Sequence, residues 1–213
     1  MKKILILGGY YTEVEVVERA NALGYYTIVT EIHNDPILTP AKAIADEAWD
    51  ISWTDIDELE KKCLEVGISG VLAGFSEFRV ESMVQLCERL GLPCSLTLEQ
   101  LEITRDKNKF KRTCEKYAIP CVPEHRYGET FDFPIIVKPV DRAGSAGITV
   151  AYDKDEFEKS YEYALSMSPS KTVIIEDFIQ DGVNVDVYYY VKNHVITLLG
   201  TSDTIMCKGS EGA

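Results

Sequence analysis

Three short stretches hold the residue types that could handle a phosphorylated ligand. In "RDKNKF", Lys107 stands near the start of a helical pattern. In "FPIIVKPVDRAGSAGITV", the apolar run Ile135, Ile136 and Val137 ends on Lys138 and leads into a loop containing Gly144, Ser145, Ala146 and Gly147. In "VIIEDFIQD", Glu176 and Asp177 follow an apolar run and precede Phe178, Ile179 and Asp181.

Each stretch admits two readings. Side chains alternate along a strand, so Ile136 and Lys138 share one face while Ile135 and Val137 share the other. Lys138 then either snorkels to water or clamps an anion. The "DRAGSAG" loop is nearly free of side-chain bulk. It is either a plain hairpin connection or a set of backbone N–H donors that can close over a phosphate chain. Together, a cation and such amides form a polyphosphate site, at roughly 1.5–3 kcal/mol per charge-assisted bond. On a helical wheel Ile103, Phe110, Cys114 and Tyr117 form one stripe that includes Lys107, whereas Lys109, Arg112 and Lys116 face water. A lysine on a packed stripe needs an anion, supplied by an internal carboxylate or by a ligand. Glu176 and Asp177 are either solvated or an edge that reads adenine. In the second case Glu176 accepts from the amino group, the backbone from Asp177 to Ile179 donates, and Phe178 forms an apolar wall.

The elements that must hold these residues fall into two patterns. From residue 1 to about 95, strands ("KILILGG", "YYTIVT", "EAWDI", "SGVLAG") alternate with helices closed by Gly24, Gly67 and Gly91. This predicts a parallel sheet covered on both faces, with ligands at the carboxyl ends of its strands. Residues 36–40 read as loop. Residues 96–213 predict an α+β unit: one helix running to about Tyr117, short strands at "CVPEH", "FPIIVK" and "GITVAY", a helix from Asp153 to Met167, and three antiparallel strands from "KTVIIEDFI" onward. The last two of these turn near Asn193. The first glycine turn, "GGYYTEVE", lacks the third glycine of a dinucleotide fingerprint, and Glu13 and Glu15 oppose a pyrophosphate there. Gly8 and Gly9 are therefore read as a substrate pocket or a structural turn, with Glu77 as a neighbour at the sheet's carboxyl ends.

Composition narrows the classes. The 213 residues carry 22 basic and 35 acidic side chains, a net charge of −13, which disfavours nucleic acid as a partner. No apolar run approaches the roughly 20 residues of a membrane span. The N-terminus reads as a first strand rather than a signal peptide, so a cytoplasmic protein is expected. The six cysteines have no C-x-x-C spacing and read as buried reduced thiols, and the three scattered histidines give no metal site.

Lys107 on a helix, Lys138 at a strand end, the glycine loop and "IIEDFI", in that order, resemble the ATP-grasp superfamily, most closely its carbamoyl-phosphate-synthase-like and biotin-carboxylase-like members. The resemblance implies a Rossmann-like domain over residues 1–95 and a partial ATP-grasp domain over 96–213. It also implies ATP with Mg2+ as cofactors, and a carboxylate–amine or carboxylate–thiol ligase acting through an acyl phosphate. Lys107 and Lys138 would hold phosphates, residues 144–147 would cover the transferring phosphate, and Glu176 and the Ile179 backbone would read adenine. Asp181 would stand in for a ribose-binding acid. The family's metal ligands lie further along than this chain runs, so a fragment inactive alone is expected, with ATP and a small carboxylate as ligands and a homodimer as an assembly. The alternatives are a non-catalytic nucleotide-binding module, a nicotinamide-dependent oxidoreductase using the first domain, and a plain interaction domain.

Overall fold

The computed structural model describes residues 1–74, 76–180 and 182–203. The chain divides into two compact units, Met1–Glu102 and Ile103–Ala213.

In the N-terminal unit, β1 (Lys3–Leu7), β2 (Tyr26–Thr30), β3 (Glu47–Trp49) and β4 (Gly70–Leu72) form a parallel sheet in the order β3-β2-β1-β4. Four successive β1 residues, Ile4–Leu7, are buried, as a strand covered on both faces requires. The period-2 alternation divides them. Leu5 and Leu7 pack with Leu59 and Cys63 of α3 (Ile56–Val66) and Leu86 of α4 (Glu77–Leu90). Ile6 packs with Val17 of α1 (Tyr11–Ala22) and Ala41 of α2 (Pro40–Ile44). The predicted loop around Pro36 and Pro40 thus contains a helical turn, which Pro40 opens because a first-turn proline forfeits no hydrogen bond. Gly67 and Gly91 end α3 and α4 in the left-handed conformation, at φ 74° and 62°.

The single helix predicted up to Tyr117 is two: α5 (Leu98–Arg105) and α6 (Lys107–Lys116). Asp106 breaks it. Its backbone is extended and its side chain accepts from the Lys109 amide at 2.9 Å, so it caps α6 instead of continuing α5.

In the C-terminal unit, β5 (Glu124–His125), β6 (Ile135–Pro139), β7 (Thr149–Ala151) and β8 (Val173–Asp177) form an antiparallel sheet in the order β5-β8-β6-β7. Ile135, Val137, Ala151 and Ile175 pack against Phe157 and Ala164 of α7 (Lys154–Met167). Asp153 caps α7 by accepting from the Glu156 amide.

The three consecutive strands predicted from "KTVIIEDFI" do not form one sheet. β8 lies between β5 and β6, and β9 (Val185–Lys192) pairs with β10 (Val195–Asp203) in a separate ribbon. Asn193 and His194, at φ 50° and 62°, make its two-residue turn. The register places Val187, Tyr189, Val191, Ile196 and Leu198 on one face, and Asp186, Tyr188, Tyr190, Lys192 and Ser202 on the other. All ten are exposed.

Candidate functional site

The register of the C-terminal sheet builds the arrangement. Directly opposed residues share a face, and β6 sets Ile136 opposite Glu176 and Lys138 opposite Ile174. Lys138 and Glu176 are diagonal neighbours on the face turned away from the α7 core, and Lys138 Nζ lies 2.5 Å from Glu176 Oε2. β5 sets Glu124 directly opposite Glu176, which alone would be a repulsive pair. Lys111 of α6 lies between the two. Its Nζ stands 2.6 Å from Glu176 Oε1 and 3.3 Å from Glu124 Oε2, and also donates to the Val122 carbonyl at 3.0 Å. Burial alone would raise the Glu176 carboxyl. Hydrogen bonds from Lys111 and Lys138 outweigh it and hold the group below the usual glutamate range. Burial would likewise lower Lys111, and its hydrogen bond to Glu176 reverses that, raising it.

Lys107 is the first residue of α6. Its Nζ donates to the Arg142 carbonyl at 2.7 Å and to the Val140 carbonyl at 3.4 Å, and its amide also donates to Val140 O. These bonds dock it on the chain that leaves β6, just before the glycine loop. The wheel expectation is corrected here. Phe110 and Tyr117 are exposed, and Cys114 alone of that stripe is buried. A helix broken at Asp106 packs through a narrower face. In the loop, Gly144 and Ser145 are exposed and take φ 64° and 58°, and the Ile148 amide closes a turn on Ser145 O, with half-buried Ala146 between. Position 147 has no room for a side chain, because a Cβ there would come within 2.7 Å of Pro139 and 2.9 Å of Met167.

At the "IIEDFI" edge, the Asp177 and Phe178 amides are already bonded, to Pro123 O and Pro134 O. Of the backbone donors expected here, Ile179 is the one whose amide these bonds leave, on an exposed residue. The Asp177 side chain meets His125 Nε2 at 2.6 Å, and the His125 ring packs at a tilt against Phe131, with centroids 5.3 Å apart. Asp181 lies outside the described residues.

In the N-terminal unit the glycine turn is filled by the protein itself. Gly8 has φ 96°, and a Cβ there would fall 2.3 Å from the Arg79 guanidinium carbon. One at Gly9 would meet Lys42, Glu31 and Thr39 at 3.0–3.3 Å. Arg79, 8% exposed, stacks on Tyr10 and brings Nη1 to 2.7 Å from Glu13 Oε1. That approach is an ion-pair contact without hydrogen-bond alignment, and Arg79 Nε and Glu31 Oε2 are buried without a hydrogen-bond partner. Glu13 also accepts from the Tyr10 amide, closing the start of α1. Glu77 is exposed in the first turn of α4. A cavity of about 660 Å³ in this unit is lined by Ile4, Val16, Leu23 and Leu72 together with Lys2, Glu15 and Arg19, and by none of the predicted site residues.

Sequence reasoning missed Lys111, Glu124, Glu13 and Arg79 as partners. Lys111 had a signal, for it lies four residues after Lys107 and three before Cys114, on the same helical stripe. Glu124 had none, because its place opposite Glu176 depends on strand register.

Several comparisons bear on this arrangement. Formate-dependent phosphoribosylglycinamide formyltransferase from Trichormus variabilis is 26% identical over 190 residues, covering 84% of this chain and 48% of that protein. The chain spans about half the length of the first such relatives. L-amino acid ligase from Bacillus licheniformis superimposes with a TM-score of 0.77 at 19% identity, over 98% of this chain and 52% of that one. The biotin carboxylase domain of Hydrogenobacter thermophilus 2-oxoglutarate carboxylase, solved as a dimer with MgADP, ADP and bicarbonate, superimposes with a TM-score of 0.78 at 20% identity, over 95% of this chain and 50% of that one. These superpositions establish a shared mixed α/β fold. The family model described as D-ala D-ala ligase C-terminus matches residues 86–198, which takes in Lys107, Lys138, the glycine loop and Glu176, and the chain accordingly belongs to that family of ATP-grasp proteins.

Proposed function

We propose that the chain supplies the nucleotide-binding half of an ATP-dependent ligase that activates a small carboxylate as an acyl phosphate for attack by an amine or thiol. The observation that carries this reading is the Lys138–Glu176 pair on one sheet face, with Lys107 docked on the chain leading from β6 into the glycine loop. A phosphate chain needs fixed cations and backbone donors, and adenine needs a fixed acceptor. Lys138 gives one of its three donors to Glu176 and has the others to offer a phosphate. Residues 144–147 contribute a loop whose Gly144 faces open space. Glu176 accepts from the adenine amino group, the Ile179 amide donates to the ring, and Asp177 acts from the opposite face by anchoring the edge through His125. Asp181 is the candidate ribose ligand.

The N-terminal unit, read as a Rossmann-like domain over residues 1–95, is the place proposed for the carboxylate, at Gly8, Gly9 and Glu77, with ATP-grasp residues from 96 onward. Its parallel sheet supports that reading, and the turn's filling by Arg79 and Lys42 means that a substrate would approach its rim rather than enter it. ATP and Mg2+ are the cofactors. Magnesium, when bound, would neutralise charge on the transferring phosphate. Among the described residues no three His, Cys, Asp or Glu side chains gather to hold it. A cytoplasmic location and a homodimeric assembly are part of this proposal: the Hydrogenobacter biotin carboxylase domain was solved as a dimer, and no helix among the described residues is long and apolar enough to cross a membrane.

Calorimetric titration of the 213-residue chain tests the reading. ATP binds, and Lys107→Ala and Lys138→Ala each weaken it about tenfold or more, as loss of a charge-assisted phosphate contact should. The chain alone, given magnesium and carboxylates, releases no ADP. Binding unchanged in both variants, or NADH bound in place of ATP, overturns it.

A further inference from the structure

Lys111 belongs to none of the motifs that point to a nucleotide, yet its ammonium contacts both Glu176 and the carboxylate set opposite it. It is on α6, one turn after Lys107, and its side chain is 13% exposed. Its ammonium has three donors, and three acceptors surround it: Glu176 Oε1, Glu124 Oε2 and the Val122 carbonyl. Resting on the reading of Glu176 as the adenine acceptor, we propose that Lys111 is a positioning residue for nucleobase selection, fixing the Glu176 carboxylate so that it accepts from a 6-amino purine and rejects a 6-oxo one.

The geometry requires such a group. β5 and β8 set two carboxylates side by side, and without a cation between them they repel and turn apart. Lys138 alone cannot hold Glu176, because it grips only Oε2 and stands next to the loop that would draw it toward phosphate. Lys111 grips Oε1 while pairing with Glu124 of β5, on the opposite side of β8 from the strand that carries Lys138, and is itself anchored to backbone at Val122. When Lys138 turns to a ligand, Lys111 keeps the carboxylate in place and ionised. An ionised carboxylate is an acceptor only. A 6-amino group donates to it, whereas a 6-oxo group sets oxygen against oxygen. A site built around one polar contact rejects the analogue lacking it far better than an apolar pocket does.

The test compares ATP with inosine triphosphate, which differs at that position, on the full 213-residue chain. The wild type prefers ATP. Lys111→Met lowers the ratio of the two affinities about tenfold, the worth of one such contact, while Lys111→Arg, which restores a cation, recovers most of it. A merely structural lysine would change thermal stability or weaken both nucleotides equally, and either result with an unchanged ratio overturns the proposal. Should Lys111→Met fail to fold, Glu124→Gln decides. With its competitor neutral, Lys111 serves Glu176 alone and discrimination is kept or sharpened, so a loss of discrimination overturns the proposal. A wild-type chain that binds neither nucleotide defeats the nucleotide reading itself and this inference with it. Binding of both nucleotides with equal affinity by the wild-type chain defeats this inference and the assignment of Glu176 as adenine acceptor, while the phosphate contacts of Lys107 and Lys138 stand.

Discussion

Glu124, Lys111, Glu176 and Lys138 form a charge-balanced row on a half-buried sheet face, and the titration of Glu176 and Lys111 has a definite sign. Glu176 is depressed when folded, so its contribution is full above the ordinary glutamate range and is lost as pH falls through the lower folded value. Lys111 is raised, so its contribution is full below the ordinary lysine value and is lost as pH climbs through the higher folded one. The row therefore stabilises the C-terminal unit throughout the neutral range. Glu176→Gln should flatten the acid limb of a stability profile measured by urea unfolding from about pH 6 down to about pH 3, a window of about three units that runs from above the ordinary glutamate range down through the lower folded value. An acid limb identical to wild type would refute the coupling. In the N-terminal unit, Glu13→Gln leaves the Arg79 guanidinium buried without its counter-charge. Breaking a buried pair from one side typically costs about 3–5 kcal/mol, so the midpoint of that unit's denaturant transition should fall accordingly. Gly8→Ala should be comparably harmful, since it adds a left-handed backbone penalty to the overlap with Arg79.

At the scale of elements, the hinge of the design is Asp106. It ends one helix pattern and starts α6 so that Lys107 occupies the first turn, beside Val140 and Arg142. Asp106→Ala should cost about 1 kcal/mol of stability, the worth of an N-cap. It should also weaken ATP binding more than Lys116→Ala does at the far end of the helix; equal effects would divorce the cap from the site. This break also shows what sequence could and could not deliver. The parallel sheet, α3 and α4 with their glycine ends, and the alternation that faces Lys138 away from Ile135 and Val137 were all legible, because each follows from local periodicity. So was the grouping of Lys107, Lys138 and Glu176 in one unit. The break at Asp106 was missed because the apolar periodicity ran through it, although aspartate followed by a polar first turn is a cap signal. The separation of β8 from the β9–β10 ribbon was out of reach, because partner choice among strands is decided by distant contacts. The same holds for Glu124 and for Arg79, whose partners stand far away in the chain.

At the scale of the whole molecule, the cysteines report on the state of the core. Burial pushes the Cys63 and Cys87 thiols up to about 12, so at neutral pH they carry almost no thiolate. Cys114 is buried as well, while Cys94 and Cys121 are exposed, which departs from the uniform burial expected from their apolar neighbourhoods. Timed alkylation followed by mass spectrometry should therefore mark Cys94 and Cys121 first, and Cys63 and Cys87 only on unfolding. Early labelling of Cys63 would mean that α3 opens readily from its sheet.

The β9–β10 ribbon sets a practical limit on handling the chain. Val187, Tyr189, Val191, Ile196 and Leu198 present a greasy strip, and among the described residues β9 and β10 pair only with each other, the kind of surface on which copies stick to one another. Light scattering should grow with protein concentration and fade when Val187 and Ile196 are both replaced by lysine, so that purification yield becomes a direct reading of how that strip is shielded.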